Sequence, residues 1–384
     1  METTTSIYEQ ANYFFPDSDD STKLFLRDVL KVFELVSHPT IRIQFYIAIL
    51  GLIVTFFHLI ILTRKSMITT SVISIMIGVG TCDLMAMTAT IIHSWVIYNE
   101  DDSDPWLDFI VTVHPLPLTQ MYVYWVFINL RELVRRSSTW LGVVMALIRY
   151  INLKYWTNTK YRHFSLPLYG FRAFFWCIMG SVPFTVIYFF RYDIIFEKMW
   201  NPPKKCGFSS GDIPNLNVYT QIPSALFTDF GGLFGKIYMF LNGIATKILP
   251  CILLPLLTFL LIIEIKRADK TRRSANLMKR KKSDKTTGLV IFMTFSFFIV
   301  ELPIGIVVVL QVAYTELGYL YIATYVNHIC NLIFTLNAII HCLICFLMSG
   351  QYRNTVGNML GIKRKNNFIT AVSTAQLVKI WEHK

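Results

Sequence analysis

Apolar residues are gathered into long runs separated by short polar breaks, and the length of those runs is the first fact that constrains the fold. Strong runs lie near residues 43–63, 69–97, 170–190, 242–265, 287–313 and 319–348, each long enough for the ~20 residues that a helix needs to cross a bilayer. Residues 122–150, YVYWVFINLRELVRRSSTWLGVVMALIRY, have a different character, because Arg131, Glu132, Arg135 and Arg136 interrupt their apolar run. The basic residues Arg64 and Lys65, then Lys154, Lys160 and Arg162, are expected in the cytoplasm by the positive-inside rule. The acidic segment EDDSD at 100–104 lies between these two sets and carries no Lys or Arg. It can sit outside only if the chain crosses again between 105 and 150. The pattern therefore predicts seven spans with the N-terminus outside.

Composition agrees with a membrane domain. The chain is 54% hydrophobic and 16% charged, whereas a soluble domain carries about 25% charged residues. The net charge of +12 is divided by membrane side: the expected inner segments hold 22 basic and four acidic residues, and the outer segments nine basic and 17 acidic. A nucleic-acid partner is therefore not implied, and the basic inner loop KRADKTRRSANLMKRKKSDK at 266–285 reads as a topology signal attracted to anionic lipid or as a docking surface for a cytosolic protein. The N-terminal METTTSIYEQANYFF has neither a basic leader nor an apolar core, so the first span is expected to act as its own insertion signal. The loop from about 191 to 238 contains NPPKKCGFSSGDIPNLN, and its turn-forming residues make it a cap for the outer mouth. After the last span, GQYRNTVGNMLG spaces Tyr352, Val356 and Met359 as one helical face, which predicts a short amphipathic helix on the inner surface. The expected fold is thus an all-α membrane protein, a seven-transmembrane helix bundle followed by a short amphipathic helix, with an extracellular N-terminus at 1–41, a receptor-like membrane domain at 42–355 and a cytoplasmic tail at 356–384.

Charges inside a span are costly, about 2.5–3.5 kcal/mol each on insertion scales, so they face a bundle interior or a watery cavity. With Arg131 as reference, Glu132 lies about 100° round the third helix, Arg135 about 40° and Arg136 about 140°, so one face carries all four. Leu130, Leu133 and Val134 fall on the other side and are expected to meet lipid. Glu132 and Arg136 are spaced to pair with each other; Arg131 and Arg135 then need other partners. Asp83 and Glu301, in the second and sixth spans, are the candidates, and an ion pair of Arg135, or failing it Arg131, with Glu301 is expected. Pro303, two residues past Glu301, should kink the sixth span, and Pro250 the fifth. Arg131, Glu132, Arg135, Arg136, Glu301 and Asp83 are thus candidate ligand-binding or switch residues.

Other chemistries find little support. His58, His93, His328 and His341 lie in different spans with no metal-ligand spacing, and read as packed or interfacial histidines. No nucleophile motif or Gly-rich phosphate loop is present, so neither an enzyme, a metal nor a cofactor is expected. Of seven cysteines, six fall in or at the ends of spans, and only Cys206 is expected outside.

The anchors HLIILTRKSM at 58–67, Asp83 in TCDLM, RRSSTWLGVVMALIRY at 135–150, Trp176, Pro250 in KILPCILLP, ELPIG at 301–305 and LNAIIHCLICFLMSGQYR at 336–353 resemble rhodopsin-like G protein-coupled receptors. The resemblance is nearest to the nematode serpentine chemoreceptors of class w, relatives of FMRFamide-type neuropeptide receptors. It implies an extracellular peptide or small-molecule ligand, a heterotrimeric G protein partner, a plasma-membrane location and coupling through Arg149, Tyr150, Asn337 and His341. Ile148-Arg149-Tyr150 replaces the superfamily's acidic triplet, which implies raised basal activity. Asn337 to His341 stands for Asn-Pro-x-x-Tyr, Thr55 for the first-span asparagine, and Glu301 for the tryptophan before the sixth-span proline. Tyr124 stands near the usual third-span cysteine, so the standard outer tie is missing. An ion-coupled transporter or channel is the alternative, weakened by the lack of a repeat between chain halves.

Overall fold

The computed structural model describes residues 4–100, 117–155, 158–199, 216–274, 281–314 and 316–361. After a short helix α1 (Thr4–Phe14), the chain forms α2 (Asp20–Leu62), α3 (Ser71–Glu100), α4 (Leu118–Lys154) and α5 (Pro167–Phe189). Strands β1 (Tyr192–Met199) and β2 (Asn217–Pro223) follow, then a single turn α6 (Ala225–Thr228) and α7 (Leu233–Gly243). A π-helical turn at Ile244–Ile248 joins α7 to α8 (Leu249–Ser274), and α9 (Lys281–Ala313), α10 (Leu317–Met348) and α11 (Gly350–Met359) complete the order. Counting α7 and α8 as one pass, the fold is a seven-helix transmembrane bundle.

Neighbours in this bundle close a ring. α2 packs on α3 and α10, α3 on α4, α4 on α8, α8 on α9, and α9 on α10, while α5 lies against α3 and α4 from outside. Among the described residues, five helical stretches are long and apolar enough to cross a membrane: Asp20–Leu62, Ser71–Ser94, Pro167–Phe189, Ala225–Ala268 and Leu317–Leu347. α9 adds the apolar stretch Phe298–Ala313. α4 does not need that composition, because other helices surround it. Val134 is only 2% exposed and packs with Ile75, Cys82 and Leu141, so it does not face lipid as expected, whereas Leu130 and Leu133 are half-buried. α5 is the opposite case, with only Gly170 and Ser181 buried and Phe175 and Trp176 open on its outer face. In water such an apolar surface would be a liability; in lipid it is the solvent contact.

Three features at the ends go beyond the hydrophobic pattern. α2 is 43 residues long, which at 1.5 Å per residue is about twice the ~30 Å hydrocarbon thickness, so it begins far outside the apolar run at 43–63. α1 folds back on the start of α10, where Phe15 is fully buried and its ring occupies the space in which a Cβ on Gly318 would stand. The loop expected at 191–238 instead contains an antiparallel hairpin, with Tyr192 opposite Pro223 and Met199 opposite Asn217. Its strands YDIIFEKM and NVYTQIP are rich in β-branched and aromatic residues, which favour that conformation. At the other end, α11 forms as expected, with Tyr352 buried and Met359 exposed. Cys206, residues 275–280 of the 266–285 loop and the 362–384 tail lie outside the described residues.

Candidate functional site

Glu301 is fully buried in α9 and two cations reach it from different helices. Arg135 of α4 donates from Nε to Glu301 Oε1 at 3.2 Å, and Lys247 Nζ lies 2.9 Å from Glu301 Oε2. Thr139 Oγ1, one turn below Arg135 on α4, also donates to Oε1 at 3.4 Å. The second arm of Arg135 is held by Asn331 of α10, whose Oδ1 accepts from Nη1, and the guanidinium lies over the Phe334 ring at 5.2 Å from its centroid. Three passes of the ring therefore meet at one carboxylate, and a fourth, α10, joins them through Arg135. Neither cation could be buried here alone without a cost of several kcal/mol, and mutual pairing with one acid reduces that cost.

Local backbone chemistry explains how Lys247 arrives. Pro250 has no N–H and would leave a gap in an ordinary α-helix. The Leu249 N–H instead bonds to the Ile244 carbonyl, five residues back, and this π turn carries Lys247 into the interior, where it is 3% exposed. π turns of this kind recur at functional positions. On the facing helix, Gly305 provides the space: a Cβ there would lie 2.9 Å from Lys247 Cβ and 3.0 Å from Ile248 Cγ1.

Above this cluster, at the hairpin end of the bundle, is a cavity of about 460 Å³. Among the described residues, Arg131, Arg135, Arg136, Arg191 and Lys247 line it, against the single lining carboxylate of Glu132. Its walls include Tyr124, Trp125, Ile128, Tyr188, Tyr238 and Ile304. The four charged residues expected on one face of the third span therefore do share one chamber, although their pairing differs. Glu132 Oε1 lies 3.9 Å from Arg131 Nε, and Arg136 Nε donates to the Glu132 carbonyl at 3.0 Å rather than to its carboxylate. Trp125 secures the chamber's rim: its Nε1 donates to the Phe189 carbonyl at 3.0 Å, and its ring meets Tyr188 and Tyr192, both centroids at 5.4 Å. Tyr124 stacks on His93 with centroids 5.6 Å apart.

The remaining candidates lie lower in the bundle. Asp83 does not reach the arginines; its Oδ1 accepts from Ser138 Oγ at 3.4 Å. Thr55 is buried, with Oγ1 3.8 Å from Met87 Sδ. Arg149 is half-buried near the C-terminal end of α4, and Tyr150 accepts at its hydroxyl from Lys154 Nζ at 2.8 Å. His341 packs edge-on against His58, ring centroids 5.9 Å apart, and His58 Nδ1 is hydrogen-bonded to Tyr352 of α11 at 2.9 Å. Asn337 is half-buried between these levels. Pro303 lies inside α9 and Pro250 is the second residue of α8. Among the described residues no cluster of His, Cys, Asp and Glu could hold a metal.

The family model described as "Serpentine type 7TM GPCR chemoreceptor Srw" matches residues 42–363. The chain belongs to the Srw family of G protein-coupled receptors. A relative, the G-protein coupled receptor dmsr-1 of Caenorhabditis elegans, is 23% identical over 387 aligned residues, covering 86% of this chain and 70% of the relative. The Srw match takes in every pass of the ring and thus the whole Glu301 cluster. This Srw protein is accordingly a multi-pass membrane receptor, of a family defined by signalling rather than by catalysis.

Lys247, Thr139 and Asn331 are the members of the receptor's cluster that sequence reasoning missed. Lys247 had a visible signal, a lone lysine within an apolar run three residues before a proline. Asn331 had none, since an uncharged amide in a span is cheap enough to be unremarkable.

Proposed function

We propose that this Srw receptor binds its agonist in the chamber beneath the hairpin, and that the Arg135–Glu301–Lys247 cluster is the latch through which binding is felt inside. One observation carries the reading: a fully buried carboxylate holds cations from two other passes directly below a ligand-sized cavity. An agonist group that competes for Glu301, Arg135 or Lys247 would remove a tie between α4, α8 and α9. A ligand shifts such an equilibrium only by its differential affinity for the two arrangements, and a floor of exchangeable ion pairs supplies one. Pro303 weakens α9 just past Glu301, so the released helix can swing its inner half outward.

The proposed consequence is access for a heterotrimeric G protein at the inner end, with Arg149, Tyr150, Asn337 and His341 at the contact. Charge supports the orientation, because the segments at the Arg149 end are the basic ones and basic loops are retained in the cytoplasm. The hairpin, α1 and the chamber then face outside at the plasma membrane. Glu301→Gln tests the latch: at matched surface expression it is expected to raise ligand-free signalling in a G protein dissociation assay. Unchanged basal activity would reduce the cluster to scaffold.

A further inference from the structure

We infer that the agonist of this receptor carries an anionic group, a carboxylate in its simplest form, which seats between Arg131, Arg136 and Arg191 while an aromatic or aliphatic body fills the chamber. The inference deepens the function proposed above and rests on it. Among the described residues, five cationic side chains line the chamber and two carboxylates answer them, Glu132 on its wall and Glu301 beneath its floor. Glu301 is already shared by Arg135 and Lys247. That leaves Arg131, Arg136 and Arg191 with one acid among them, and Glu132 is 3.9 Å from its nearest arginine nitrogen.

The spare donors are buried. Arg136 is 2% exposed and Arg131 8%, yet Nη1 of the first and Nε of the second meet no hydrogen-bond acceptor among the described residues. Gln221 of β2 brings a further buried donor to the same chamber, its Nε2 likewise without an acceptor. Arg191 lies over the Tyr188 and Tyr192 rings at 5.8 and 5.1 Å, and Arg136 lies 6.0 Å from the Phe184 centroid. Aromatic faces temper these charges without neutralising them. Guanidinium forks in a site of low dielectric match a carboxylate, with paired hydrogen bonds that a neutral amide cannot equal. A cationic ligand group would meet net repulsion at this depth. The acidic outer segments can steer a positively charged region of a ligand, so a bipolar ligand suits both levels. A volume near 460 Å³ lies in the ~300–1,000 Å³ range of small-molecule pockets, which admits a small organic acid or the last residues of a peptide with a free C-terminus.

Purified full-length receptor in lipid nanodiscs, at fixed ionic strength, tests this by thermal unfolding with N-acetylphenylalanine, its primary amide and phenethylamine. The acid is expected to raise the melting temperature by roughly 2–4 °C at saturation, with the amide and the amine giving less than half of that rise. Arg136→Gln should abolish the acid-specific increment, and Arg131→Gln and Arg191→Gln serve if that variant does not fold. A pentapeptide acid ending in phenylalanine separates the sources: a tenfold lower working concentration than N-acetylphenylalanine indicates a peptide, and equal concentrations indicate a small acid. Equal effects of acid and amide, stabilisation by the amine alone, no response to any probe, or an acid-specific rise that survives all three substitutions would overturn the inference. Ligand-free coupling to G protein, measured on the same preparation, is independent of the probes. Its persistence alongside a failed acid test would remove the ligand class and leave the receptor function standing.

Discussion

Gly305 of α9 and Lys247 of the π turn are matched: the side chain that one lacks is the space in which the other stands. A Cβ at Gly305 would lie 2.9 Å from Lys247 Cβ and 3.4 Å from the Ile248 backbone nitrogen, and backbone cannot swing aside. The ion pair between Lys247 and Glu301 therefore depends on an uncharged residue one turn along from the acid.

Gly305→Ala is expected to force α9 and α8 apart at the cluster. Overpacking of this kind costs about 1–3 kcal/mol, and helix propensity returns at most ~1 kcal/mol. The measured outcome should be a lower melting temperature together with raised basal signalling, since the displaced helices weaken the latch. A variant more stable than the parent, with unchanged basal signalling, would show that the close approach carries no functional strain.

Charge bookkeeping at Glu301 predicts an unequal pair of substitutions. Lys247→Met leaves Arg135 and Glu301 as a neutral pair, whereas Glu301→Gln leaves two buried cations without their acid. Breaking a buried pair costs about 3–5 kcal/mol, so Glu301→Gln should lose more surface expression and thermal stability than Lys247→Met. The double variant is expected to be more stable than Glu301→Gln alone. Additive losses in that cycle would mean that Lys247 and Glu301 do not interact energetically.

Arg149→Ala should abolish agonist-driven signalling while sparing surface expression, because the side chain lies near the C-terminal end of α4, remote from the chamber. Full signalling by a normally expressed variant would remove it from the G protein contact. An epitope placed within 266–285 fixes the orientation in the same cells, and is expected to be stained only after permeabilisation.

Trp125→Ala removes the hydrogen bond to Phe189 and the ring contact with Tyr188, which tie α4 to the end of α5, and the ring contact with Tyr192, which holds the first strand of the hairpin to α4. Truncating a buried tryptophan costs about 3–5 kcal/mol. Greater hydrogen exchange across residues 192–199 and 217–223 is the expected readout, with the inner half of the bundle unaffected. Protection unchanged in both strands would place the rim's anchor elsewhere.

The sequence by itself determined the number of passes, because a bilayer requires every crossing to be a long helix and the acidic segment at 100–104 demanded the one that hydropathy alone understated. Charge cost likewise singled out Arg131, Glu132, Arg135, Arg136 and Glu301, since residues so expensive in hydrocarbon must face inward. The Arg135–Glu301 pair was legible in part for that reason, with the family resemblance supplying the relative height of the two residues. Other features depended on contacts between passes. Whether Glu132 paired with Arg136 or Arg131 turned on side-chain directions at the chamber wall, which helical spacing does not set. The π turn that points Lys247 inward depends on how α8 settles against α9 at Gly305. Val134 met other helices instead of lipid, because a residue's exposure depends on what surrounds its helix, and that is settled only when all the passes have packed together.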